Sequence, residues 1–372
     1  MRKLFNTVLM AIPAIIVVFI LGFWIQRNIK TELPEPSGQF AVSRAIFEWT
    51  DTTRIDSLAD KPGTFRKLVA WVWYPAQKSD NQSKVEYLPA SWRKAVEKRK
   101  GLFSGFFSHN LSKIIPNSIE NGNLISGNST FPVILMKTGI GALTAEYTTF
   151  AEELASNGYI VVGSDSPYST NVVVYSDGSV INDNQKGNPI NISSALDRDR
   201  RLNRLVTIWT DDTRFILDKL GKLNNDSSNP FYKRLNMSKV GVFGHSLGGA
   251  TAFRFCNTDK RCKTGVSING TAFGSVNENK LSKPFMFLMA DQDIKADSTA
   301  LQVRQNIKTI YDQITGSKGW LTVKGTQHFN FSDQALIKVG FLARRSGDIG
   351  SIDQERGLLI ASTSLRTFST VI

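Results

Sequence analysis

Residues 239–253 read KVGVFGHSLGGATAF. A short branched and aromatic run, Val240 to Phe243, enters a turn in which Ser246 stands between Gly244 and Gly248. Small residues follow. The pattern predicts a strand, a sharp reversal and a helix. Gly-x-Ser-x-Gly at such a junction is a nucleophile elbow. The reversal strains the serine backbone, and the two glycines leave room for strand and helix to approach. The hydroxyl is then presented at a helix N-terminus, where unpaired N–H groups suit a developing oxyanion. The five-residue motif alone is weak. Its weight comes from the strand before it and the small-residue helix after it.

Strand and helix signals alternate on either side. RKLVAWVWYP, 66–75, is β-rich and ends at Pro75. FPVILMK (131–137) is a buried strand, AEYTTFAEELASNG (145–158) a helix stopped by Gly158, and YIVVGSD (159–165) a strand. After a polar insertion, 170–194, comes a long amphipathic helix, then the elbow. Three more strands follow, KTGVSIN, KPFMFLMA and GWLTVKG, the last two separated by a helix near 298–315. Two closing helices are expected at the C-terminus. The alternation implies an α/β class with a mostly parallel central sheet and helices on both faces, an α/β-hydrolase fold.

In that fold the triad runs Ser, acid, His along the chain. The three histidines are His109, His245 and His328, and only His328 lies beyond the elbow and its neighbour. It sits in the loop TQHFNF after the strand GWLTVKG, so it is the expected base. Asp293, at the end of PFMFLMADQD, is the expected acid, with Asp291 second. Its work is to hold the imidazole tautomer and stabilise the imidazolium. The oxyanion donors are expected at the Leu247 amide and at Ile140, in the Gly-rich loop TGIGAL after FPVILMK.

Composition is that of a globular chain: 372 residues, 41% hydrophobic and 21% charged. The formal charge is +13, yet there is no long basic run and no nucleic-acid motif. An anionic lipid surface is the better partner, and nucleic acid is not expected. At the N-terminus Arg2 and Lys3 precede an uncharged run from Val8 to Ile25, with Trp24 near its end. It exceeds the ~7–15 residues of a signal h-region and lacks a small-residue cleavage site. An uncleaved transmembrane anchor over 1–30 is expected, then a Pro-containing linker, 31–43, and a catalytic domain, 44–372. The catalytic domain would lie outside the cytoplasm, or be secreted if the segment were cleaved. Cys256 and Cys262 are six residues apart, and the sequence leaves their pairing open. No cofactor or metal site is evident. The basic then aromatic stretch within 91–111 reads as a covering helix or as a patch meeting lipid.

With these residues in hand, the chain resembles the plasma-type platelet-activating factor acetylhydrolases and their bacterial relatives over about 130–365. FPVILMKTGIGALTAEYTTFAEELASNGYIVVGSD, KVGVFGHSLGGATAF, GTQHFNFSD and GDIGSID carry the likeness, and His-x-Asn-Phe-x-Asp is its specific pattern. The resemblance implies a calcium-independent serine esterase that removes short or oxidised sn-2 acyl groups from phospholipids. Ser246 and His328 carry over. The acid does not: the family's position after the strand beyond the elbow helix is Asn269 here. An amide there would orient His328 without balancing the imidazolium charge, which is why Asp293 is preferred. Two rivals stay open. One is a general carboxylesterase or cutinase-like polyester hydrolase. The other is an inactive hydrolase-fold binding protein tethered to a membrane.

Overall fold

The computed structural model describes residues 2–78, 82–106, 108–271, 273, 280–291, 298–338 and 340–371. Eight strands form the central sheet: β1 Ala41–Ile55, β2 Phe65–Ala76, β3 Phe131–Lys137, β4 Ile160–Asp165, β5 Leu235–His245, β6 Cys262–Ile268, β7 Phe285–Ala290 and β8 Lys318–Val323. Their spatial order is β8-β7-β6-β5-β3-β4-β2-β1. β2 pairs antiparallel with both β1 and β4, and every other pairing in the sheet is parallel. The expected mostly parallel sheet is therefore present, and the carboxyl ends of β3, β5, β6, β7 and β8 share one edge.

Side chains alternate across the sheet, as a strand period of two requires. On β2, Val69, Trp71 and Trp73 face one core, with Phe150 and Leu154 and, near the C-terminus, Leu358 and Leu365. Leu68, Ala70 and Val72 face the other, with Ile216, Leu220, Phe255 and Ile307. The described helices are, in chain order, α1 Arg2–Arg27, α2 Ala90–Phe106, α3 Thr148–Ser156, α4 Ala195–Asn225, α5 Leu247–Thr258, α6 Ser298–Gln313, α7 Gln334–Ile337, α8 Gly340–Arg345 and α9 Gln354–Ser369. The C-terminal region thus holds two short helices before α9 where one was expected. Cys256 and Cys262 are disulfide-bonded, with Cα atoms 5.0 Å apart, and join α5 to the start of β6.

A buried charge cluster fastens α4 to the sheet. Arg66, at the start of β2, donates from Nε and Nη2 to Asp212 of α4 at 3.1 and 2.7 Å, and from Nη1 to Asp56 at 2.8 Å. Arg54 adds a bond to Asp212 at 3.0 Å. Burial would raise the Asp212 carboxyl, but Arg66, Lys137 and Arg54 hold it below its ordinary value. Removing one partner leaves a buried charge uncompensated. Asp212→Ala is therefore expected to destabilise the chain by about 3–5 kcal/mol, read from urea unfolding. A loss under about 1 kcal/mol, the scale of a surface pair, would show that the cluster does not fasten the helix.

Residues 31–43, expected as a linker, lie against the domain. Thr31–Glu32 pair with Ile114–Ile115, the Ser37 N–H donates to Glu153 at 2.8 Å, and β1 starts at Ala41. The expected membrane-crossing segment falls on α1. Among the described residues no helix is long and apolar enough to cross a membrane. The side chains of residues 1–12 and 14 lie outside the described set, as do those of 102 and 103 in the aromatic stretch. The described apolar side chains from Ile15 to Leu21 are exposed.

Candidate active site

β5 ends at His245 and α5 begins at Leu247, so Ser246 alone makes the reversal. Its φ and ψ are 57° and −125°, a conformation that strains a residue bearing a Cβ. The surroundings hold it there. The Ser246 N–H donates to the Ile268 carbonyl at 3.0 Å, and the Gly249 N–H donates to the Ser246 carbonyl at 2.9 Å. The two motif glycines are set by contact distance. A Cβ on Gly244 would lie 2.0 Å from the Gly248 carbonyl oxygen, and one on Gly248 would lie 2.2 Å from that of Lys137. Their absence lets α5 sit on the end of β3.

That contact brings the loop after β3 to Ser246. A Cβ on Gly139 would approach the Ser246 Cβ to 3.0 Å. Leu247 is the first residue of α5, so its N–H has no partner within the helix. The Gly141 N–H is committed to the Ser169 carbonyl at 2.8 Å, and Ile140 packs into the same apolar cluster as Leu247. Beneath the loop, buried Lys137 donates to the Ser164 and Ser166 hydroxyls at 3.1 and 2.9 Å. Burial pushes its ammonium down to about 8.

His328 opens the turn after β8. Asn330 Oδ1 accepts from the Gln327 N–H at 2.8 Å and from the Gly350 N–H at 2.7 Å. Asp333 accepts from the Thr148 and Thr149 N–H groups at 3.1 and 3.2 Å and from the Tyr87 hydroxyl at 3.1 Å. In the pattern His-x-Asn-Phe-x-Asp, the Asn and Asp thus pin the histidine turn to residue 350 and to the start of α3. They are supports, not reacting groups.

The partner of the imidazole is Asn269, just past β6. Its Nδ2 lies 2.6 Å from His328 Nδ1, and its Oδ1 accepts from the Ala290 N–H at 3.1 Å. The second bond orients the amide, because a turned amide would set two donors against each other. Nδ2 then donates to His328 Nδ1, and the neutral imidazole carries its proton on Nε2. Burial, then Lys338, push the His328 imidazolium down to about 4, against a smaller upward pull from Asp348. Asp291 lies elsewhere: its Oδ2 accepts from the Gly325 N–H at 3.2 Å. Asp293 lies outside the described residues.

A brace between the three loops has no signature in the residue order. The Tyr147 hydroxyl donates to His245 Nδ1 at 2.7 Å. His245 Nε2 donates to the His328 carbonyl at 3.1 Å. Burial and the neighbouring His328 keep His245 neutral, well below its ordinary value. His245 therefore has both nitrogens occupied and supports the His328 turn. Among the described residues no three His, Cys, Asp or Glu side chains gather as metal ligands. A cavity of about 620 Å³ opens beside the site, between α2, the loop after β3 and residues 334–348. Lys100, His109, Leu143, Glu146 and Lys338 are among its lining.

The sequence model described as platelet-activating factor acetylhydrolase, isoform II, matches residues 25–189 and 217–369. A platelet-activating factor acetylhydrolase of Cavia porcellus is 25% identical over 380 residues, covering 92% of this chain and 80% of its own. A probable 1-alkyl-2-acetylglycerophosphocholine esterase of Arthroderma benhamiae is 25% identical over 256 residues, covering 65% of this chain and 59% of its own. The chain thus spans well under two thirds of that fungal relative. Among solved structures, a ferulic acid esterase from Streptomyces cinnamoneus matches with a TM-score of 0.73 at 21% identity, over 91% of this chain and 92% of its own. That likeness shows the fold. With the family model matching both halves of the sheet and all three site loops, the chain belongs to the platelet-activating factor acetylhydrolase, isoform II, family.

Proposed function

We propose that the chain is a serine esterase that removes short acyl groups, with phospholipid esters as its preferred substrates. The observation that carries this is Ser246, strained at the N-terminus of α5 with the Gly139 backbone against it. Ser246 Oγ attacks the ester carbonyl, and His328 takes its proton. The Leu247 and Ile140 amides receive the oxyanion, and water releases the acyl-enzyme. The cavity is lined by apolar Leu111 and Ile337 beside Lys100, Glu146 and the Lys338–Asp348 pair, which suits a zwitterionic headgroup joined to a chain.

Two positions compete for the acid. Asp293 is the general position for it, and position 269 is where His328 Nδ1 is met. The amide at 269 also favours a second reading, a binding protein on an impaired hydrolase frame, because a neutral amide cannot balance an imidazolium. We further infer an extracytoplasmic domain, which the Cys256–Cys262 bond suits, held at a lipid surface through α1. The exposed apolar run from Ile15 to Leu21 supports this. Flotation with anionic vesicles that left the full chain unbound would remove the lipid part.

The activity test compares an sn-2 acetyl phospholipid in vesicles with a soluble butyrate ester, using the full chain. The expected result is Ser246-dependent turnover of both, with the higher kcat/KM on the phospholipid. Turnover of the butyrate alone would leave a general esterase. No turnover of either would favour the binding protein.

A further inference from the structure

Asn269 is followed by Gly270, and the pair stands where the fold wants a carboxylate. Its side chain faces two N–H positions, Ala290 N–H and His328 Nδ1, 3.1 and 2.6 Å away. An aspartate would accept from both. The amide has one oxygen, already given to Ala290, so it meets His328 with its own donor and fixes the tautomer that cannot take a proton from Ser246.

We propose that Asn269 is a self-modification site, which deamidates to aspartate in the folded protein and thereby completes the catalytic triad. The inference rests on the esterase reading above.

The step balances without any reagent but water. The Gly270 amide nitrogen loses its proton and bonds to Asn269 Cγ. The Cγ–Nδ2 bond breaks and ammonia leaves, giving a five-membered succinimide. Water then adds at Cγ, the bond from Cγ to the Gly270 nitrogen opens, and the peptide N–H is restored. The sum is amide plus water giving carboxylate and ammonium.

Four features of the fold favour this chemistry here. Gly270 has no side chain to shield its nitrogen, and a Cβ there would lie 2.2 Å from Ser267 Oγ, which would have to move. The Ala290 N–H on Oδ1 is already placed for the oxyanion of the tetrahedral intermediate. His328 Nδ1, once protonated, is placed to hand its proton to the departing nitrogen. Finally, Asn269 has φ 39°, in the left-handed region that Asn and Asp both tolerate, so the aspartate product can keep the same backbone. The product gains charge-assisted bonds from both groups, the stronger kind.

The test ages freshly purified full-length protein at neutral pH. At intervals, fragment mass spectra of the peptide Thr264–Lys280 follow the exchange of NH for O at 269, alongside esterase kcat/KM. Asn269→Asp and Ser246→Ala serve as references. The expected result is conversion at 269 with a parallel rise in kcat/KM towards that of Asn269→Asp, about 10³–10⁴-fold at completion. His328→Ala is expected to slow the conversion. No mass change at 269, or conversion without a rise in activity because isoaspartate forms instead, would overturn the proposal. The two readings fail differently. If Asn269→Asp is active while the wild type never converts, the deamidation fails and the esterase stands. If Asn269→Asp is no more active than Ser246→Ala, the esterase reading fails and takes the deamidation with it.

Discussion

Ser246→Ala is expected to lower esterase kcat by about 10⁶-fold in a fully competent triad, and to abolish labelling by a fluorophosphonate. The fold should survive the change. Alanine carries the same Cβ as serine, so it meets the same backbone strain at φ 57°, and the bonds to Ile268 and Gly249 are main-chain bonds. What is lost is the one atom that forms the acyl-enzyme. What remains is an oxyanion site and a binding cavity, which together still exceed water by about 10³–10⁴-fold. In a preparation whose triad is impaired by the amide at 269, the measured drop shrinks accordingly, because Ser246 and His328 act as a unit and their losses do not add. The measurement is kcat on a short-acyl ester, with unfolding midpoints to show that the variant is folded. A folded variant that keeps a tenth of the activity would place the nucleophile elsewhere.

The elbow was legible because its glycines are demanded by contacts a short sequence window contains. Gly244 meets Gly248, and Gly248 meets the end of β3. The parallel core was legible for a similar reason: strands buried on both faces read as continuous apolar runs. β1 was not. Its 15 residues include Arg44, Glu48, Thr50, Asp51 and Arg54, because one edge of it faces solvent, and the apolar alternation is diluted. Arg66, Asp56 and Asp212 join only in three dimensions, and nothing at position 66 announces a partner at 212. The Tyr147–His245 brace was hidden by the motif itself. A histidine beside the motif serine reads as filler, yet its two ring nitrogens meet the Tyr147 hydroxyl and the His328 carbonyl. The acid was ranked by charge. Asp293 was preferred over Asn269 because only a carboxylate can offset an imidazolium, whereas geometry has put the amide against Nδ1.

That conflict sets the second large effect. Asn269→Asp is expected to raise kcat/KM of freshly made protein by about 10³–10⁴-fold, the reverse of exchanging a triad aspartate for its amide. The reason is one proton. With the amide in place, His328 Nδ1 accepts from Nδ2 and Nε2 holds the hydrogen, so the ring would offer a serine hydroxyl a donor where it needs an acceptor. A carboxylate at 269 accepts from Nδ1, moves the hydrogen there and frees the Nε2 lone pair. It also moves the pH profile. Burial and then Lys338 push the imidazolium down to about 4, and Asp348 pulls the other way, while neutral His245 lies tilted against the ring with centroids 4.4 Å apart. An added negative charge at Nδ1 favours the protonated imidazole, so the acid limb of kcat/KM must move up from about pH 4. A merely structural gain at 269 would raise the plateau and leave the limb where it was. Asp293→Asn is the matching control. If position 269 is the acid's seat, that variant keeps its activity and its profile. A collapse in Asp293→Asn, together with an unchanged acid limb in Asn269→Asp, would assign the charge balance to Asp293 and leave Asn269 as a steric prop for the ring.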